Sequence, residues 1–161
     1  MTSRLLPAAE ALAILLLGLM AGFFFAFAID VAPAMAKLDA VQYVTAQQWI
    51  NKVVRNVTFG GAYFGAALWP FMVVAVAFFS GRRRAALGWL LIAIGYFVAV
   101  YWLTRSINIP INNELATWNA AAPPGSWLQA RDTWNRSNGW RAMASALAFA
   151  AAVLLALFRR R

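Results

Sequence analysis

The residues best suited to chemistry form a dense group of amides and arginines between two apolar segments. One stretch holds Asn108, Asn112 and Asn113, and a second runs from Trp134 to Arg141. Amide and guanidinium groups each donate several hydrogen bonds, and burying them beside apolar segments is costly unless they pair or bind a ligand. The sequence therefore places its candidate site in these two stretches.

The rest of the chain has the composition of a membrane protein. Of its 161 residues, 63% are hydrophobic and 12% are charged, and the mean hydropathy is +0.66. Four apolar segments, at about 8–31, 57–79, 85–104 and 140–158, are each near the length of about 20 residues that crosses a bilayer. Because lipid-exposed backbone must satisfy its hydrogen bonds internally, we predict one all-α domain, 1–161, that forms a bundle of four transmembrane helices.

Two connecting segments complete the predicted architecture. Apolar residues recur at helical spacing through residues 45–56, which predicts an amphipathic extension running straight into the second span. Its apolar face includes Trp49 and Val53, and its polar face holds Gln48, Asn51, Lys52 and Arg55. Because Pro110 should end the third helix, we predict a polar outer loop between the third and fourth spans.

The net charge of +9 lies mostly in short loops and at the ends of the apolar segments. This placement is typical of topology signals and of contact with anionic lipid headgroups. It argues against a nucleic-acid partner, since no basic surface with interleaved aromatic residues is present. Clusters at 82–84 and 159–161 favour a bacterial inner-membrane protein with both termini in the cytoplasm and the Asn-rich region outside.

The chain contains no histidine and no cysteine. Imidazole and thiolate groups are the usual protein ligands of haem and of redox metals. We therefore expect neither a metal site nor a resident cofactor, so any redox chemistry would be carried by the substrate itself or by a diffusible cofactor.

Two carboxylates, Asp30 and Glu114, are candidate catalytic bases. Arg141 is the candidate stabiliser of negative charge. Asp30, at the end of the first span, could be a base whose pKa is raised by partial burial, or an interfacial carboxylate paired with Arg105 or Arg141. Glu114 could be a second base or a charge near the start of a helix.

The candidate ligand-binding residues are Asn108, Asn112, Asn113, Trp134, Asn138 and Arg105. The amides could grip the oxygens of a ligand while an arginine stabilises a developing oxyanion. They could equally satisfy backbone groups freed around Pro110. Trp134 could form the wall of an aromatic site or belong to an interfacial aromatic belt.

Glycine pairs spaced by four residues occur in two apolar segments, at Gly18 with Gly22 and at Gly61 with Gly65. Such pairs let membrane helices approach closely. They indicate packing within the bundle, or a homo-oligomer as the alternative.

The same motifs carry a family resemblance. Asn108-x-Pro110-x-Asn112-Asn113, followed by Trp134-x-x-x-Asn138-x-x-Arg141, resembles the signature of the anthrone-oxygenase-like family of small four-helix membrane proteins. Gln48-x-x-Asn51 before the second span is also similar. Where many relatives carry a histidine beside the second motif asparagine, this chain has Gly139, which rules out a mechanism that needs an imidazole there.

The resemblance implies a cofactor-independent oxygenase of reduced polycyclic aromatic substrates. Such a protein needs a base, a cradle of positive charge and amides for the phenolate, and a dry aromatic pocket. The alternative is a non-catalytic subunit that binds a lipid or a quinone-like molecule within a larger membrane complex. A transporter is a third possibility, disfavoured because the spans lack the ionisable residues that coupled transport usually needs.

Overall fold

The computed structural model describes residues 5–158, and every regular element in that range is a helix. Four long helices are α1 (Leu5–Met35), α3 (Val57–Phe79), α4 (Arg83–Leu115) and α5 (Trp127–Phe158). A shorter helix, α2, covers Ala40–Val54. Each long helix is long and apolar enough to cross a membrane. The all-α prediction with four spans is therefore confirmed.

The long helices form a ring in which α1 and α4 each pack against both α3 and α5. Their inner faces supply the apolar core, whose largest members are Trp89, Tyr96, Phe24, Leu17 and Met20. Large apolar side chains on the outer faces, such as Leu91 and Leu147, stay exposed, as expected of a surface that meets lipid tails. The long helices are thus apolar both on the faces that form the core and on the faces that point outward, as in a membrane protein.

Close helix contacts depend on one glycine from each spaced pair. A Cβ at Gly18 would lie 3.0 Å from the Phe149 ring on α5, and one at Gly65 would lie 3.1 Å from Leu16 on α1. Gly22 and Gly61 have no neighbouring atom within 4 Å of that position. Gly18 and Gly65 therefore allow close packing within the bundle.

The amphipathic segment is a separate helix and does not run straight into the second span as predicted. Asn56 interrupts the helix between α2 and α3. It also caps α3, because its side-chain oxygen accepts a hydrogen bond from the Phe59 N–H at 2.9 Å. Within α2, Asn51 is buried, whereas Trp49 and Val53 are exposed. The other buried residues of α2 are Tyr43, Val44 and Gln47. Apolar and amide side chains therefore share the face of α2 that packs on the bundle.

Another α2 residue, Tyr43, packs its ring 5.6 Å from that of Trp127. Burial raises the pKa of Tyr43 to about 12, so its hydroxyl stays neutral. Tyr43 therefore ties α2 to the start of α5 as an uncharged packing residue.

The third span runs through Pro110 instead of ending before it. Wide π-helical turns cover Phe97–Trp102 and Thr104–Asn108, and α-helix resumes at Ile109. Pro110 then occupies the first turn of the new segment, where its missing N–H is not needed. The same arrangement precedes Pro33, which follows a π-helical turn at Phe27–Val31.

The connection between α4 and α5 is consequently short, at residues 116–126. The fourth span also begins at Trp127, well before residue 140. Most of the polar region predicted as a loop is therefore helical, and its amides and arginines project from rigid elements.

Candidate functional site

A cavity of about 580 Å³ lies between the helices at the Asn-rich end of the bundle. Aromatic rings, amides and arginines from all five helices line it. The polar lining residues are Asn51, Arg55, Asn56, Tyr63, Thr104, Arg105, Asn112, Asn113, Asn138 and Arg141. The principal aromatic walls are Phe23, Phe24, Phe27, Phe59, Phe64 and Trp134. A volume of this size accommodates a small organic molecule.

Arg141 is the buried cation of this cavity, with only 5% of its surface exposed. Its two terminal nitrogens donate to the Asn138 amide oxygen at 2.8 Å and to the Thr104 hydroxyl at 3.2 Å. The guanidinium carbon lies 4.7 Å from the centre of the Phe24 ring and 5.2 Å from that of Trp134. Arg141 is therefore held between two aromatic faces, a favourable place for a desolvated cation.

Trp134 is fixed as a wall by polar contacts from α4. Its indole N–H donates to the Asn112 side-chain oxygen at 2.8 Å, and its ring lies 5.1 Å from that of Phe27. Trp134, Asn138 and Arg141 occupy one buried face of α5, as their spacing of four and three residues dictates. The structure thus brings these predicted site residues together with Asn112.

Three buried N–H donors of the cavity lining have no hydrogen-bond partner: Asn51 Nδ2, Asn138 Nδ2 and Arg141 Nε. The Tyr63 hydroxyl, which can donate or accept, is a further unpaired group of the lining. All three N–H donors belong to side chains that are more than nine-tenths buried. An unsatisfied buried donor costs about 1–3 kcal/mol, so a folded protein rarely keeps three together without a purpose. All three lack an acceptor, which indicates a ligand rich in acceptor oxygens.

The charge of the cavity points the same way. Arg55, Arg105 and Arg141 line it, whereas all five carboxylates of the chain lie elsewhere in the described region. Among residues 5–158, Arg141 forms no ion pair, whereas Arg131 pairs with Asp132. The cavity therefore carries an uncompensated positive charge. Such a charge favours a phenolate or another anionic group, or the oxygen end of a carbonyl dipole.

Arg105 and Asn113 lie at the exposed rim of the cavity. The Asn113 side-chain oxygen accepts a hydrogen bond from Arg55 at 3.3 Å, which links α4 to the segment before α3. These two predicted residues are thus available at an entrance, and neither is part of the buried cradle.

The remaining predicted residues do not line the cavity. Asn108 is 1% exposed; it donates to the Trp134 carbonyl at 3.3 Å and accepts from the Ser137 hydroxyl at 2.7 Å, so it joins α4 to α5. Asp30 and Glu114 are exposed. Asp30 forms no ion pair with Arg105 or Arg141 in the described chain, contrary to the alternative considered for it.

Five polar residues of the cavity lining fall outside the predicted set, namely Asn51, Arg55, Asn56, Tyr63 and Thr104. Asn51 belongs to the Gln48-x-x-Asn51 motif, whose Gln48 donates to the carbonyls of Leu115 and Trp118 at 2.9 and 3.0 Å. Gln48 thus satisfies the end of α4, while Asn51, one turn later, points its amide inward. Tyr63 and Thr104 carry no sequence signal, because both sit inside apolar spans.

With the geometry established, the comparison with known families gives a clear result. Residues 55–151 match the anthrone oxygenase family. The chain belongs to this family. The matched range contains α3, α4 and most of α5, and so includes Arg105, Asn112, Trp134, Asn138 and Arg141. The family resemblance seen in the motifs is thereby confirmed.

Two other comparisons returned nothing. Neither the curated proteins nor the solved structures compared with the chain gave a match. Within residues 5–158 no three His, Cys, Asp or Glu side chains group closely enough to hold a metal ion.

Proposed function

We propose that this protein is a cofactor-independent oxygenase that binds a reduced polycyclic aromatic ketone of the anthrone type. The observation that carries the proposal is the group of three unpaired buried donors in an aromatic cavity that also holds Arg141. A planar aromatic molecule with a carbonyl and phenolic oxygens matches both features, because its rings suit the walls and its oxygens supply the missing acceptors.

The proposed reaction converts an anthrone and one dioxygen into an anthraquinone and one water. The ring CH₂ opposite the carbonyl first loses a proton, which gives a delocalised enolate. The enolate passes one electron to dioxygen, and the resulting radical and superoxide combine to form a carbon–oxygen bond. The peroxide takes up a proton; loss of the second ring hydrogen and cleavage of the O–O bond then yield the new carbonyl and water.

Arg141 and Asn138 have the main role in this scheme. Negative charge develops on the substrate carbonyl oxygen when the ring proton is lost. Fixed donors aimed at that oxygen stabilise it without reorganisation, the usual advantage of an oxyanion hole. Asn51 adds a third donor from α2. The effect is to make the bound substrate more acidic, which substitutes in part for a strong base.

The proton acceptor in this proposal is water at the rim beside Asn113. Asp30 and Glu114 are exposed and lie outside the cavity lining, so neither reaches the substrate directly. The cradle lowers the pKa of the substrate's ring CH₂, so that water can accept the proton. No carboxylate is then required within the cavity.

The test uses purified protein in liposomes with 1,8-dihydroxyanthrone as substrate. Oxygen uptake and formation of 1,8-dihydroxyanthraquinone should rise above the protein-free rate in a ratio of one to one, and EDTA should leave the rate unchanged. Arg141→Lys should slow the reaction, whereas Arg131→Lys, a change on the same helix outside the cavity, should not. A rate no higher than that of empty liposomes would exclude this substrate class.

A second candidate is a non-catalytic subunit that holds a quinone-like molecule or a lipid. The placement of all five carboxylates away from the cavity favours this reading, since binding needs no base. The same liposomes distinguish the two: saturable binding of 1,8-dihydroxyanthraquinone without oxygen uptake from the anthrone would support the binding subunit.

We also propose that the protein resides in a bacterial inner membrane with both termini in the cytoplasm. Arg82, Arg83 and Arg84 lie in and just after the short turn between α3 and α4, at the end of the bundle opposite the cavity. By the positive-inside rule this end faces the cytoplasm, so the cavity lies at the outer side of the membrane.

A further inference from the structure

Helices α3 and α4 make few contacts at the cavity end of the bundle. They pack closely along the 83–96 portion of α4, and their contacts become sparse from residue 97 onward. The contact between the rings of Phe64 and Tyr101, with centroids 6.3 Å apart, marks the point where the gap begins. A cleft therefore opens between two neighbouring spans.

The cleft is closed again at its outer end by the hydrogen bond of 3.3 Å from Arg55 to Asn113. The opening between the two closures is lined by Gly60 and Phe64 from α3 and by Arg105 and Ile109 from α4, all of which also line the cavity. We name this opening the α3–α4 window. Because Phe64 lines the cavity and is also exposed, the cavity reaches the surface of the bundle beside this residue.

The surface around the window is apolar. Phe64 is 53% exposed, and the next outward-facing residue one turn on, Leu68, is 54% exposed. Phe64 lies seven residues inside the start of α3, about 10 Å along the helix axis. This position belongs to a membrane-spanning helix, so the window meets lipid. At Gly60 no atom lies within 4 Å of where a Cβ would be, so a side chain introduced there has room.

We propose that the cavity is filled sideways from the bilayer through the α3–α4 window, by an aromatic amphiphile whose acceptor oxygens meet Arg105 first and Arg141 afterwards. The identity of the ligand rests on the proposed function, whereas the route rests on the window. A polycyclic aromatic molecule concentrates in the membrane, since burying apolar surface is favourable. Arg105, exposed at the rim, offers it a first polar contact, and the deeper unpaired donors complete binding.

The experiment uses the absence of cysteine from the chain. Gly60→Cys places a thiol in the window, and Gly61→Cys, the matched control, places one on the adjacent exposed position that does not line the cavity. Each variant in liposomes is treated with benzyl methanethiosulfonate and later with dithiothreitol. Binding of 1,8-dihydroxyanthraquinone is followed by quenching of tryptophan fluorescence, which requires no turnover.

The benzyl group on the Gly60→Cys variant should slow association of the quinone at least about tenfold, a change within the range that gated access produces, and dithiothreitol should restore it. Recovery shows that the fold survived. The modified Gly61→Cys variant should bind like the unmodified protein. Anthraquinone-2,6-disulfonate, which has the same rings but stays in water, should bind poorly from the aqueous side.

Unchanged association in the modified Gly60→Cys variant, or tight binding of the disulfonate from water, would overturn the lateral route while leaving the proposed function intact. If the unmodified protein consumes oxygen with the anthrone but binds no quinone, the quinone does not occupy the cavity. The lateral route proposed for it is then overturned, whereas the proposed function stands. A protein that neither binds the quinone nor oxidises the anthrone refutes both proposals together.

Discussion

Replacing Arg141 with methionine separates a binding role from a structural one. The guanidinium makes hydrogen bonds to Asn138 and Thr104, and its Nε has no partner. If that free donor meets a ligand oxygen, its loss removes a charge-assisted hydrogen bond of about 1.5–3 kcal/mol. The affinity for 1,8-dihydroxyanthraquinone should then fall about 10- to 150-fold.

The effect of Arg141→Met on folding should be much smaller. The variant leaves the Asn138 oxygen without its donor, which is unfavourable. It also removes a buried cation that has no ion pair among residues 5–158, and replacing buried charge with apolar side chains is often neutral or stabilising by about 1–4 kcal/mol. Methionine can occupy the same space against Phe24 and Trp134. We therefore expect a thermal midpoint equal to or above that of the parent.

The assay combines thermal unfolding in mild detergent with quinone titration by tryptophan quenching. Arg131→Met is the control, because Arg131 lies on the same helix, pairs with Asp132 and does not line the cavity. Arg141→Lys should recover part of the affinity, since it keeps the charge but not the planar fork. A strongly destabilised Arg141→Met variant with parental affinity would show that Arg141 only holds the helices together.

Three further predictions address the elements around the cavity. Asn51→Leu removes an unpaired donor and also the acceptor of the buried Gln47 amide. It should lower quinone affinity about fivefold or more and lower the unfolding free energy by about 1–3 kcal/mol; equal affinity would place Asn51 outside the site. Gln48→Leu frees two carbonyls at the end of α4 and should lower the unfolding free energy by about 1–3 kcal/mol, which a thermal scan would detect as a lower midpoint. Cysteines at Ser80 and Ser126, in the turns at opposite ends of the bundle, should react with impermeant maleimide from opposite faces of the membrane; labelling from one face would contradict the four-span topology.

The spans could be predicted because the bilayer imposes a simple constraint. Apolar runs of sufficient length must be helical, and the spacing of Trp134, Asn138 and Arg141 placed them on one face. The helix ends could not be predicted in the same way. The π-helical turn at Thr104–Asn108 allows α4 to continue past Pro110, and local sequence carries no reliable signal for such a turn.

The candidate site was predictable in its polar half and hidden in the rest. Asn112, Trp134, Asn138 and Arg141 stood out because polar groups are rare in this chain. Tyr63 and Phe24 look like ordinary members of apolar spans, and only the packing shows that they face a cavity. Asp30 stood out for the same reason as the arginines, yet it is exposed, because a carboxylate at the end of a span can reach water without entering the bundle.

A cation as buried as Arg141 needs a physical reason to remain charged and in place. Phe24 and Trp134 supply two ring faces at 4.7 and 5.2 Å, and Asn138 and Thr104 supply two acceptors. A nearby carboxylate would satisfy the cation better, but it would also neutralise the potential that attracts an electron-rich ligand. The aromatic and neutral partners therefore hold the guanidinium without consuming its charge. This arrangement suits the oxyanion site proposed above, and the Arg141→Met variant distinguishes that role from a purely structural one.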